Sequence, residues 1–77
     1  MISRIKIPKL GMSMQEGTIA EWHVADGDTV EAGQVLYTIE TDKVQNEVTS
    51  PLGGVITLIA VEGQTYAVGE IVAELKN

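Results

Sequence analysis

One lysine stands apart in this chain. Lys43 is the only positive charge between Lys9 and Lys76, and it lies in the run Thr41-Asp42-Lys43-Val44-Gln45-Asn46-Glu47-Val48. By residue type alone it reads as a solvated, edge-protecting charge at a hairpin tip. The other candidates for chemistry are incomplete. Asp26, Asp28 and Glu31 suggest calcium, but Val30 and Glu31 stand where an EF-hand loop needs an oxygen ligand and a glycine. His23 is the only histidine and has no partner at ligand spacing. It reads as a strand residue facing solvent or the rim. Gly53-Gly54 lacks the spacing of a phosphate cradle and has no helix after it. Met12 and Met14 offer a soft contact surface or simple loop packing. Ser13 and Ser50 have no base at a recognisable spacing. No catalytic constellation is complete.

The elements that carry these residues read as β throughout. Eight Ile, nine Val and seven Thr make 24 β-branched residues in 77, against one Trp, two Tyr and no Phe. Such stiff side chains favour strands. Ile5 and Ile7 alternate with Arg4 and Lys6 in a first strand, which Pro8 ends. Residues 10–17 read as a loop. Ala20, Trp22 and Val24 alternate in a second strand, and Asp26-Gly27-Asp28 marks a turn. Thr29-Val30 is a short piece. Val35, Tyr37 and Ile39 form the next strand, and Val44 and Val48 resume one up to Ser50. Pro51-Leu52-Gly53-Gly54 is a turn. The apolar run over residues 55–61 suits a strand covered on both sides, and residues 71–75 close the chain. No stretch sustains a helical period, so seven or eight short strands are expected.

The chain also repeats itself. A shift of 36 places Gly17 on Gly53, Gly27 on Gly63, Thr29 on Thr65 and Gly33 on Gly69. A slip to 37 pairs Gly17 with Gly54, Ile19 with Ile56 and Val24 with Val61. Two copies are too few for a solenoid. They predict an all-β, pseudo-twofold flattened barrel or barrel-sandwich hybrid, with Lys43 in the link between the copies.

Composition bounds the function. The length allows one small domain over residues 1–77, without volume for a deep enzymatic pocket. The net charge of −6 argues against nucleic acid or an anionic membrane as partner. The absence of cysteine excludes disulfides, a thiolate zinc site and a thiol nucleophile. No apolar run approaches the ~18 residues of a membrane span. Met1-Ile2-Ser3-Arg4 has no signal-peptide character, so a bacterial cytoplasmic location is expected, or the mitochondrial matrix in a eukaryote.

The run Ile39-Glu40-Thr41-Asp42-Lys43-Val44 resembles the lipoyl attachment motif of 2-oxo acid dehydrogenase complexes. Pro8-Lys9-Leu10-Gly11 through Glu16-Gly17, Glu21-Trp22 with Gly27-Asp28-Thr29-Val30, and Ser50-Pro51 with Gly54-Val55 extend the resemblance over nearly the whole chain. It is most like the lipoyl domains of dihydrolipoamide acyltransferase components. The sister biotin carriers set their lysine between methionines, whereas Asp42 and Val44 flank this one. They also usually lack the long first loop. Val44 replaces a common alanine, His23 a usually apolar residue, and Gln45-Asn46-Glu47 has some biotin-like flavour.

The resemblance implies a non-catalytic carrier with lipoic acid in amide linkage to Lys43, set among Thr41, Asp42 and Val44. It implies that Glu40, Gly27 and Gly54 serve recognition by a lipoate ligase or lipoyl transferase. It implies that the loop Gly11, Met12, Ser13, Met14, Gln15 and Glu16 lies beside the hairpin and helps a 2-oxo acid dehydrogenase know its own domain. The further partners implied are an acyltransferase core and a dihydrolipoamide dehydrogenase, with the domain itself monomeric. A biotinyl carrier of a carboxylase is the alternative, and an unmodified contact module a third.

Overall fold

The computed structural model describes residues 2–9, 12, 14–42 and 44–77. Eight strands follow in order: β1 (Ile2–Lys6), β2 (Glu16–Trp22), β3 (Thr29–Val30), β4 (Val35–Glu40), β5 (Gln45–Thr49), β6 (Gly54–Leu58), β7 (Thr65–Ala67) and β8 (Ile71–Lys76). Two four-stranded antiparallel sheets result. Sheet I has the order β1-β8-β6-β3 and sheet II the order β5-β4-β2-β7. Between them lies an aliphatic core that includes Ile7, Ile19, Leu36, Ile39, Ile56, Val72 and Leu75, all buried. The flattened barrel-sandwich predicted from the repeat is the fold observed.

Exchanging β1, β8, β6 and β3 for β5, β4, β2 and β7 converts one sheet into the other, as a pseudo-twofold axis requires. Individual hydrogen bonds repeat across the axis. Gly27 N–H donates to Ile56 O at 2.7 Å, and Gly63 N–H to Ile19 O at 2.7 Å. Both glycines hold φ near +90° (89° and 87°), a region costly for any side chain. Leu58 N–H donates to Asp26 Oδ1, and Trp22 N–H to Glu62 Oε1, each at 2.9 Å. Each half thus supplies a carboxylate to a strand of the other.

The slip between shifts of 37 and 36 has a physical cause. Ile19 pairs with Ile39 and Glu21 with Thr38, leaving Ala20 as a β-bulge. The counterpart, β6 on β8, runs unbroken from Val55–Lys76 to Leu58–Ala73. After the bulge the shift is 36: His23 N–H donates to Leu36 O as Ile59 N–H does to Val72 O. Val24 therefore corresponds to Ala60 and not to Val61.

The same bulge corrects the expected alternation, since Ala20 faces solvent while Trp22 still packs on the core. Three further readings change. Glu16 and Gly17 belong to β2 because they pair with Ala67 and Tyr66, so the first loop ends at Gln15. Val44 lies before β5 and is exposed. The run over residues 55–61 has one covered face only, for Val55, Ile59 and Val61 are exposed. Among the described residues nothing packs on the outer side of sheet I to cover them.

Tyr37 is fully buried beside Trp22, with ring centroids 4.9 Å apart, and among the described residues its hydroxyl has no hydrogen-bond partner. An unsatisfied buried hydroxyl costs about 1–3 kcal/mol. Burial also pushes the phenol up to about 12 from 10.0. The folded state therefore favours the neutral ring. Above pH 10 the unfolded chain loses this proton first, so stability falls as pH rises from about 10 to about 12. Tyr37→Phe is expected to stabilise the protein at pH 7 by about 1 kcal/mol and to reduce the loss at pH 11. Urea unfolding at both pH values, followed by Trp22 fluorescence, reads both effects. A less stable variant at pH 7 would show that the hydroxyl has a partner in solution.

Candidate functional site

The β4–β5 hairpin is held tightly at its stem. Thr38, Ile39 and Glu40 pair with Glu47, Asn46 and Gln45. Ile39 is buried in the core and anchors the stem from inside. Across it, Gln45 Nε2 donates to Glu40 Oε2 at 2.5 Å. The link, residues 41–44, is closed by Thr41 N–H donating to Val44 O at 2.9 Å. Thr41 Oγ1 lies 3.4 Å from both Val44 N and Val44 O. Asp42 keeps a negative φ, which excludes the primed two-residue turns. Four residues therefore join two firmly paired strands, and Asp42 and Val44 are exposed.

The surroundings of the hairpin are acidic. Sheet II carries Glu16, Glu21, Glu40 and Glu47, and Asp42 stands in the link. Every described Lys or Arg lies elsewhere: Arg4 and Lys6 on β1, Lys9 just after it, and Lys76 on β8. Among the described residues no group of three metal-ligating side chains is present.

Glu16 lies at the hairpin's end of the molecule. Thr18 pairs with Glu40, and Glu16 precedes it by two residues in β2. The two described loop methionines part company: Met12 is 97% exposed, whereas Met14 packs against the core beside Gly17. Gln15 O accepts a hydrogen bond from Val68 N–H at 3.0 Å, which ties the loop to the start of the β7–β8 turn. Lys43, Gly11 and Ser13 lie outside the described residues.

Gly27 and Gly54 are not brought to the hairpin. β7 ends beside Glu16, so β8 starts at the hairpin end and runs about 17 Å away from it. A Cβ on Gly54 would stand 2.7 Å from Lys76 O, at the far end of that run. Gly27 bonds to Ile56, on the strand that pairs with β8. Glu40, Thr41, Asp42, Val44 and Glu16 share one pole, and the two glycines shape the backbone elsewhere. Gln45, whose amide engages Glu40, was not singled out from the sequence. Nothing local in the sequence marks it, because its pairing with Glu40 follows from the register of the stem.

A family model described as "Biotin-requiring enzyme", covering biotin and lipoyl domains, matches residues 3–75. The chain belongs to the biotin/lipoyl domain family. Within that family it is similar to the lipoyl domain of the 2-oxoglutarate dehydrogenase complex from Azotobacter vinelandii. That structure is 37% identical with a TM-score of 0.80, over 96% of this chain and 95% of the other. Three acyltransferase components are also similar. The dihydrolipoyllysine-residue succinyltransferase component of the 2-oxoglutarate dehydrogenase complex from Staphylococcus saprophyticus is 47% identical over 70 residues, 90% of this chain and 16% of the relative. The lipoamide acyltransferase component of the branched-chain complex from Bacillus subtilis is 43% identical over 77 residues, 99% and 18%. The dihydrolipoyllysine-residue acetyltransferase component of the pyruvate dehydrogenase complex from Mycoplasma capricolum is 41% identical over 75 residues, 96% and 17%. The biotin/lipoyl domain thus spans less than a fifth of the length of each of these relatives. A biotin/lipoyl domain is a carrier and not a catalyst, and the likeness here favours lipoyl over biotinyl.

Proposed function

We propose that this chain is a lipoyl carrier domain with lipoate in amide linkage to Lys43. It is reductively acylated by a 2-oxo acid dehydrogenase, delivers the acyl group to an acyltransferase, and is reoxidised by a dihydrolipoamide dehydrogenase. The observation that carries this reading is the β4–β5 stem, which pins a four-residue link on both sides and holds the lysine-bearing sequence Thr41-Asp42-Lys43-Val44. The dithiolane supplies the redox and thioester chemistry when bound. The chain itself supplies placement. Thr41 and Val44 close the link, Glu40 and Gln45 fix the stem next to it, and Asp42 keeps the approach polar. We assign ligase or transferase recognition to Glu40 with its neighbours, and dehydrogenase recognition to the loop ending at Gln15 together with Glu16. The missing cysteines fit this role, since protein thiols would exchange with the disulfide of the arm. Modification removes one positive charge and takes the net charge from −6 to −7.

Intact mass and peptide mapping of protein from a host supplied with both vitamins tests the reading. A lipoyl increment on Lys43 is the expected result. A biotin increment would move the function to carboxyl transfer. No increment, in cells whose other carriers are fully loaded, would leave an unmodified contact module.

The acidity of sheet II predicts how partners are met. Reductive acylation at limiting carrier is expected to slow as ionic strength rises, because screening shortens the reach of Glu16, Glu21, Glu40, Asp42 and Glu47. A rate that stays flat from low to high salt would remove electrostatic steering from the account.

A further inference from the structure

The pseudo-twofold axis gives the protein two outer sheet faces of the same topology and opposite chemistry. On sheet II, pairing sets Thr18, Glu40 and Gln45 in one outward row and Glu21, Thr38 and Glu47 in the next. The equivalent rows of sheet I are Val55, Lys76 and Ile2, then Thr57, Glu74 and Arg4. His23, which bonds Thr38 on sheet II, has Ile59 as its counterpart. One scaffold thus shows an acidic, polar face and a basic, aliphatic one. Ile2, Val55 and Ile59 are 54%, 43% and 51% exposed, and Arg4, Lys6 and Lys76 stand among them. Glu74 is the only carboxylate in these rows, and Arg4 pairs with it at 3.5 Å. In a chain of net charge −6, four of the five Lys and Arg lie on or beside this sheet.

We propose that the outer face of sheet I is a docking surface for an acidic, aliphatic polypeptide segment of a partner protein. Carboxylates of the segment meet Lys6 and Lys76, and its aliphatic side chains cover Ile2, Val55 and Ile59. Charge selects this occupant. A second copy stacked face to face would set Lys6 and Lys76 against their own kind. A second copy presenting sheet II would put carboxylates and threonines over the aliphatic residues. Three half-exposed aliphatic side chains are also far short of the ~800 Å² per partner that a stable dimer buries. They suit a short segment held weakly. The hairpin belongs to sheet II, on the other side of the core from this face, so such a segment leaves the modified link free. The surface is independent of the carrier role and is testable without the prosthetic group.

The test is a titration of isotope-labelled protein with a capped eight-residue peptide of alternating Asp and Val, read by backbone amide shifts. A Lys–Val peptide serves as control. Shifts at Ile2, Arg4, Val55, Ile59 and Lys76, from the acidic peptide alone, are expected. Lys6→Glu with Lys76→Glu should weaken that binding at least about tenfold, and Ile59→Thr should weaken it as well, with thermal stability checked for each variant. The proposal is overturned by shifts on sheet II or none at millimolar peptide, by equal response to the basic peptide, or by binding that ignores the substitutions. Concentration-dependent shifts of the same amides without peptide would assign the face to a second copy. Binding to phosphatidylglycerol vesicles without response to the peptide would assign it to a membrane. Either result overturns the proposal.

Discussion

Protein carrying Lys43→Arg is expected to leave a fully loaded host with no prosthetic mass at all, and to carry no acyl group afterwards. Amide formation needs an amine that can shed its proton and attack an activated acyl group. Lysine can do so, whereas a guanidinium stays charged in water and is a poor nucleophile. The positive charge is kept, so the hairpin's electrostatics change little, and the variant should unfold at the same temperature as the unmodified parent. Intact mass and a thermal scan followed by Trp22 fluorescence suffice. Exchanging Asp42 and Lys43 asks a finer question, because it preserves composition and moves the amine by one position in the link. Loss of modification there would show that the ligating enzyme reads placement held by the β4–β5 stem. A prosthetic increment on the arginine variant, or on another lysine, would remove Lys43 from the mechanism.

Gly54→Ala carries the largest expected cost to stability. A Cβ at that position would meet Lys76 O at 2.7 Å and Lys76 C at 3.1 Å. The obstacle is backbone of β8, which is paired on both sides by β1 and β6 and has nowhere to go. Overpacking of this kind costs about 3 kcal/mol, which lowers the melting temperature of so small a domain by about 12–24 °C. At its twofold counterpart, Gly17, the obstacle is Ile39 Cδ1 at 2.5 Å, a buried side chain that yields only by repacking the core. Calorimetry of Gly54→Ala, together with its lipoylation at a temperature where it remains folded, separates two roles. A destabilised but modifiable variant means that the glycine serves the fold. A fully stable variant that no ligase accepts means that it is a recognition residue after all.

Local chemistry was legible in the residues themselves. β-branched alternation located the strands, and Gly27, Gly33, Gly63 and Gly69 announced the turns and the repeat. The motif around Lys43 located the hairpin that bears Glu40, Thr41, Asp42 and Val44. Most of the misreadings involve partners distant in sequence. Nothing near Ala20 announces a bulge, because the bulge is relative to β4 and is visible only against the unbroken β6–β8 ladder. Glu16 and Gly17 look like loop until β7, some fifty residues later, pairs with them. The run over residues 55–61 looks doubly covered because aliphatic content alone cannot tell a buried face from an open one. The hydrogen bond from Gln45 to Glu40 depends on the stem register, which the motif does not encode.

The reciprocal bracing of the halves bears on how the chain comes to be folded. Each sheet contains two strands from before the link over residues 41–44 and two from after it. Asp26 and Glu62 each serve a strand of the other half. Neither half owns a sheet, so neither is a folding unit. β8, central in sheet I between β1 and β6, is the last of the eight strands to be synthesised. A growing chain therefore holds β1 and β6 without their common partner until residues 71–76 have cleared the ribosome. Non-local pairing of this kind makes folding slow and cooperative. An enzyme that reads the folded hairpin meets its substrate only after that last strand is in place, although the hairpin itself was translated some thirty residues earlier.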